Sequence, residues 1–162
     1  MTLSRVLFSS DREDWPTPLD LFRRLDREFG PFDLDAAASP ENALCTRYFT
    51  QRDDAFRQDW RPFQRIWINP PYGDAIPLWT RRARQEAERG AVVCMLLPSR
   101  TDTQWFHRDV LPYARVIRFI EGRITFRGAE DPAPFPSVVV VFGPAHLVAL
   151  KRPKGVEGQV EE

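Results

Sequence analysis

A chain of 162 residues, 43% hydrophobic and 12% aromatic, is long enough to bury one sizeable core and too apolar to read as a disordered tail. No run approaches 18 consecutive apolar residues, so no membrane-spanning helix is expected, and Met1 to Ser10 lacks the basic-then-apolar pattern of a secretory signal. The net charge is zero, yet ten arginines stand against five acids between Arg81 and Arg127, so a polyanionic partner is not excluded.

Thr17-Pro18-Leu19-Asp20 reads as a helix N-cap, a proline at the first helical position and an acid three residues past the cap. Leu21, Phe22, Leu25 and Phe29 follow at helical spacing until Gly30-Pro31 stops the helix. Phe32-Asp33-Leu34 predicts a short strand ending at Asp35. Ser39-Pro40 opens a candidate short helix, and Arg47-Tyr48-Phe49 a candidate strand. Ile66-Trp67-Ile68 is an apolar run that stops at Asn69-Pro70-Pro71-Tyr72-Gly73. Asp74 is the expected cap of a helix whose buried face is Ile76, Trp79, Ala83 and Ala87, closed by Gly90. On that helix Arg81, Arg82, Arg84 and Arg89 read equally as a DNA-facing patch or a solvated face. Val92 to Leu97 predicts a buried strand ended by Pro98. A helix around Thr103 to Val110 and strands over 116–120 and 138–142 complete the expected order.

Continuously apolar strands alternating with helices imply an α/β fold, a mostly parallel sheet with helices on both faces. One domain over residues 14–150 is expected, with flexible ends at 1–13 and 151–162. Ligands bind such sheets beyond the carboxyl ends of the strands, where Asp35, Asn69 and Pro98-Ser99-Arg100 are all expected. Cys45, Cys94, His107 and His146 have no metal-ligand spacing, so reduced thiols and no metal site are expected.

Asn69-Pro70-Pro71-Tyr72 carries the chemistry. Two adjacent prolines fix the backbone and remove both N–H donors, leaving carbonyl oxygens as the polar groups. The Asn69 amide oxygen and the Pro70 carbonyl suit two hydrogen bonds from a planar –NH2 group, and Tyr72 supplies a ring to stack on it. An exocyclic adenine amine is a poor nucleophile because its lone pair is delocalised. Two acceptors stabilise the positive charge that builds on it during attack. A base inside a duplex must first be flipped out of the stack.

The chain resembles the phage-type DNA N-6-adenine methyltransferases of the Dam group from about Asp14 to Phe142. The resemblance rests on Asp14-Trp15-Pro16-Thr17-Pro18, on the run from Asp33 to Asn42, on Gln58-Asp59-Trp60, on Asn69 to Gly73, on Leu97 to Thr103 and on Pro134-Phe135-Pro136-Ser137. It implies a compact Rossmann-like fold, S-adenosyl-L-methionine as methyl donor, DNA as partner and a cytoplasmic, phage- or prophage-encoded enzyme. Trp15, Thr17 and Pro18 look like the motif near the methionine carboxylate, where a hydroxyl and helix N-terminal N–H groups suit an anion. Asp35, Ala36 and Ala37 look like the first cofactor motif, with Asp35 facing the methionine amino group. Asp59 resembles the acid that bonds the cofactor's adenine, flanked by Trp60; Asp53, Asp54 and Asn42 are weaker candidates.

Alanines stand where many methyltransferases carry glycines in the first motif. No insertion is large enough for a separate target-recognition domain. Specificity is therefore expected from the loops Arg100 to His107 and Glu121 to Pro136, with Arg100 and Arg123 against phosphate or guanine and Phe126 beside the flipped base. The same tetrapeptide also serves methylation of a protein glutamine or an RNA base. A non-catalytic remnant that binds DNA or cofactor is the third reading.

Overall fold

The computed structural model describes residues 14–148, so the ends expected to be flexible lie outside the described residues. Two main helices, α1 (Leu19–Phe29) and α2 (Ile76–Glu88), pack with a five-stranded sheet: β1 (Leu34–Asp35), β2 (Arg65–Ile68), β3 (Val92–Pro98), β4 (Val116–Phe119) and β5 (Ser137–Phe142). The order across the sheet is β1-β2-β3-β5-β4. β1 pairs parallel with β2, and β2 with β3, in the register Leu34↔Ile66 and Ile66↔Val93. β5 lies antiparallel between β3 and β4, so four strands share one direction and β5 opposes them.

That reversal is where the mostly parallel expectation needs correcting. β4 and β5 are neighbours joined by residues 120–136, which contain no crossover helix of the kind that usually links parallel neighbours. Every residue of β3 and β5 is buried, which explains their uninterrupted apolar sequences.

α1 buries Phe22, Leu25 and Phe29; Phe22 meets Trp67 edge-on at 5.4 Å. The helix starts at Leu19 without a side-chain cap, and the Thr17 hydroxyl that was expected to cap it bonds elsewhere. α2 buries Ile76, Trp79 and Ala83, with Ala75 rather than Asp74 at its N-cap. Residues 40–42 form a turn in place of a helix, and residues 47–49 contribute only a parallel bridge between Tyr48 and Asp35. The expected helix near residue 103 is reduced to a short segment with a π-helical turn, Phe106–Val110.

The basic stretch is largely consumed by internal pairing. Arg82 bonds the buried Glu86 at 2.7 Å and lies 4.6 Å above the Trp60 ring, while Arg89 also pairs with Glu86. Arg84 lies 3.7 Å from Asp109, and Arg118 forms a two-pronged pair with Glu28.

Candidate active site

Asn69 leaves the carboxyl end of β2 between two surfaces of different character. Its amide nitrogen donates to the Trp15 carbonyl at 2.6 Å and to the Thr17 hydroxyl at 2.9 Å. A carbonyl can only accept, so the nitrogen must face Trp15, and this fixes the orientation of the amide. The Oδ1 atom is then buried with no hydrogen-bond partner among the described residues. Pro70 is buried and Pro71 exposed, and Gly73 at φ +143° turns the chain towards α2 in a conformation that side chains oppose.

Asn69 opens on a narrow polar pocket that it shares with Thr17, Asp35, Asn42 and Arg127. Asp35 ends β1 and is 3% exposed. Its carboxylate accepts from the Leu44 N–H at 3.1 Å and, at the long limit, from the Ala37 N–H at 3.4 Å. Burial pushes its pKa up to about 7, against the pull of those two N–H groups and of the Arg127 charge. A buried carboxylate poised this way suits a cationic amine.

Pro71 lines a second and larger cavity of about 700 Å³, within the roughly 300–1,000 Å³ typical of small-molecule sites. Ala36, Ala37 and Ala38 form one wall; Phe49, Asp54, Phe56 and Trp79 form another. Asp14, Ala37 and Asn42 belong to both pockets, so the two are adjoining parts of one groove. The tetrapeptide therefore touches the polar pocket through Asn69 and the apolar cavity through Pro71.

Two expected cofactor residues lie elsewhere. Asp59 is exposed and held by the Arg61 guanidinium through two bonds of 2.9 Å, which keep its carboxyl down at about 2; it lines neither cavity. Trp60 is fully buried, donates its ring N–H to the Ala55 carbonyl at 2.7 Å and carries Arg82 on its face. Asp54, a weaker expectation, does reach the cavity, and its φ of +53° marks a turn strained for a non-glycine residue. The sequence reading missed Phe49, Phe56 and Trp79 as cavity walls, and Arg127 altogether. Aromatic residues spaced like ordinary core give no signal of lining a cavity.

Tyr72 is 7% exposed, and its hydroxyl donates to the Leu96 carbonyl at 3.2 Å. The ring packs edge-on to Phe135 at 5.3 Å and Phe126 at 6.4 Å. Phe126, expected beside a flipped base, is 1% exposed and packs on Trp15 at 5.2 Å. Arg100 and Arg123, the residues expected against DNA, are exposed. They stand on the loops after β3 and β4, at the same end of the sheet as Asn69 and Asp35; the Ser99 N–H to Pro136 carbonyl bond of 2.8 Å ties these loops together.

Among the described residues, no cluster of three or more metal-ligating side chains exists and no helix is long and apolar enough to cross a membrane. Cys45 and Cys94 are free, and burial pushes both thiols up, Cys45 to about 12.

The family model described as DNA N-6-adenine-methyltransferase (Dam) matches residues 5–143. A DNA N-6-adenine-methyltransferase of Escherichia phage T1 is 32% identical over 114 residues, covering 70% of this chain but only 47% of that relative, so the chain spans about half its length. A protein of the same name from Haemophilus phage HP1 is 29% identical over 141 residues, covering 83% of this chain and 81% of the relative. The match runs through the groove at the ends of β1 and β2, and the chain belongs to the DNA N-6-adenine-methyltransferase (Dam) family.

Proposed function

We propose that this chain transfers a methyl group from S-adenosylmethionine to the exocyclic amine of adenine in DNA. The observation that carries the reading is the buried Oδ1 of Asn69, without a partner among the described residues and fixed as an acceptor by Trp15 and Thr17 in the polar pocket. The residues fit the donor: the Asp35 carboxylate suits its ammonium, and the cavity walled by Ala36, Phe49, Asp54 and Phe56 suits its adenosine. When bound, S-adenosylmethionine supplies a methyl carbon already activated by its sulfonium, so the protein's task is alignment.

Asn69 Oδ1 and the Pro70 carbonyl accept the two hydrogens of the target amine and stabilise the charge that builds there. Tyr72 forms the floor against which the base rests. Its ring packs edge-on against Phe126 and Phe135, so a base that stacks on it must displace those rings. The chain acts as one methyltransferase domain of Rossmann-like form with a helix on each face of the sheet. A cytoplasmic role on phage or prophage DNA agrees with the phage proteins it is similar to.

The test is incubation of purified protein with radiolabelled S-adenosylmethionine and unmethylated DNA, followed by nucleoside analysis. Labelled N6-methyladenine is the expected product. Label in RNA or protein instead would move the assignment to another acceptor, and failure to bind S-adenosylmethionine would leave a non-catalytic remnant.

The exposed arginines supply two smaller predictions. Arg123→Ala is expected to weaken DNA binding and to lower the slope of log affinity against log salt by about 1, the mark of one lost phosphate contact. An unchanged slope would remove Arg123 from the interface. Asp59→Ala is expected to leave S-adenosylmethionine affinity within about twofold by calorimetry, because that carboxylate serves Arg61 at the surface. A tenfold loss would return Asp59 to the cofactor site.

A further inference from the structure

Four buried side-chain atoms lack a hydrogen-bond partner among the described residues, and two of them, Asn69 Oδ1 and Arg127 Nε, belong to residues that line the same polar pocket. The first is explained by the target amine. The second needs a different ligand, because Nε is a donor and an adenine amine offers it nothing.

Arg127 is held in place before any ligand arrives. Its backbone N–H donates to the Pro16 carbonyl at 3.0 Å, and one terminal nitrogen donates to the Asn42 carbonyl at 3.0 Å. Asp35, lining the same pocket, is held by the Leu44 and Ala37 N–H groups. The two opposite charges line one pocket without forming an ion pair with each other. Their field is still shared, since the Arg127 charge pulls the Asp35 pKa downwards.

Two opposite charges pinned apart by backbone groups match a ligand carrying both signs a few ångströms apart. The amino-acid end of the methyl donor is such a ligand. Resting on the methyltransferase reading, we infer that Arg127 binds the carboxylate of the cofactor's amino-acid end while Asp35 binds its ammonium. A guanidinium presents Nε and a terminal nitrogen as a planar fork, and carboxylate is the anion that this fork fits two-pronged. A DNA phosphate is the less suitable occupant. The pocket adjoins the adenosine-sized cavity through Asp14, Ala37 and Asn42, whereas Arg100 and Arg123 stand exposed to DNA.

The test compares two probes by calorimetry on the intact protein: S-adenosylhomocysteine, which carries the amino-acid end, and 5′-methylthioadenosine, which lacks it. Arg127→Gln is expected to weaken S-adenosylhomocysteine by roughly 10- to 100-fold, as for a lost charge-assisted hydrogen bond, and 5′-methylthioadenosine by less than about twofold. Arg127→Lys keeps the charge and loses the fork, so an intermediate loss for S-adenosylhomocysteine alone is expected. Equal weakening of both probes would overturn the inference, since it would mean that Arg127 only braces the Asn42 turn. Unchanged S-adenosylhomocysteine affinity in Arg127→Gln, alongside a large loss in Asp35→Asn, would overturn the role of Arg127 and leave the methyltransferase reading standing. Failure of the unaltered protein to bind S-adenosylhomocysteine would overturn both.

Discussion

Replacing Asn69 by alanine is expected to lower methyl transfer to DNA by about 10²- to 10³-fold, the loss typical of removing one preorganised group that stabilises developing charge. The Oδ1 atom has no partner among the described residues, so its hydrogen-bonding capacity is free for the transition state. Cofactor affinity, read separately by calorimetry, is expected to stay within about threefold, because the charged contacts to the amino-acid end come from other residues. The alanine variant also strips the Trp15 carbonyl and the Thr17 hydroxyl of their donor, costing about 1–3 kcal/mol of stability, so a melting curve must accompany the kinetics. Thr17→Val separates the two effects. It leaves Oδ1 intact and loosens the amide, and about a tenfold fall in kcat with little change in KM is expected for one lost positioning hydrogen bond. Turnover near normal in a folded Asn69→Ala protein would remove Asn69 from the chemistry.

The link between Thr17 and Asn69 shows where the sequence is readable and where it is not. Thr-Pro before a helical pattern is a sound cap signal, since the rule depends on residues three or four apart. The Thr17 hydroxyl is instead taken by an amide 52 positions away, a partner that no local rule can supply. Asp74 fails for a related reason: several residues near a turn can serve as the boundary, and here the helix begins after Ala75. By contrast, the ends of β2 and β3 are legible because Asn-Pro-Pro and Pro-Ser each interrupt an apolar run. A proline there removes the N–H that sheet pairing needs.

β5 is ambiguous in sequence, because a strand buried on both faces reads Val-Val-Val-Val in either direction. Its direction accords with the helix-free connection after β4, whose significance appears only once β4 and β5 are seen as neighbours. Among candidate residues, Asp35 and Asn69 are legible because each stands where an apolar strand stops, and the structure brings both to one pocket. Asp59, expected at the cofactor, is exposed and paired with Arg61, and a carboxylate beside Trp60 looks the same in sequence whichever of the two it faces. Arg127 gave no sign within a stretch of ten arginines. Its distinction is its place in the polar pocket, held there by bonds to the Pro16 and Asn42 carbonyls.

Asp35→Asn is expected to weaken S-adenosylmethionine binding by about 100-fold, within the range for deleting one partner of a buried, hydrogen-bonded charge pair. The variant keeps the size of the side chain and removes the charge proposed to meet the cofactor ammonium. Its amide nitrogen also meets one of the N–H donors from Leu44 or Ala37, a mismatch that adds to the loss. The pH dependence is the more discriminating measurement. With Asp35 pushed up to about 7 in the free protein, the binding form is scarce at pH 6 and abundant at pH 8. Affinity should therefore rise as the pH increases towards 7, and binding below that pH should release a proton, visible as a dependence of the calorimetric heat on buffer. Above about 8 the cofactor's own α-amino group loses its charge, so affinity should fall again. Asp35→Asn should abolish the acid limb and the proton release together. Stability of the free protein runs in the opposite sense. A carboxyl with a folded pKa above its unfolded value adds stability below about 3.8, and that contribution is lost as the pH rises to about 7. Bound cofactor supplies the missing positive charge, so S-adenosylmethionine should raise the melting temperature more at pH 7.5 than at pH 6. Equal shifts at the two pH values would mean that the Asp35 carboxylate does not meet the ammonium.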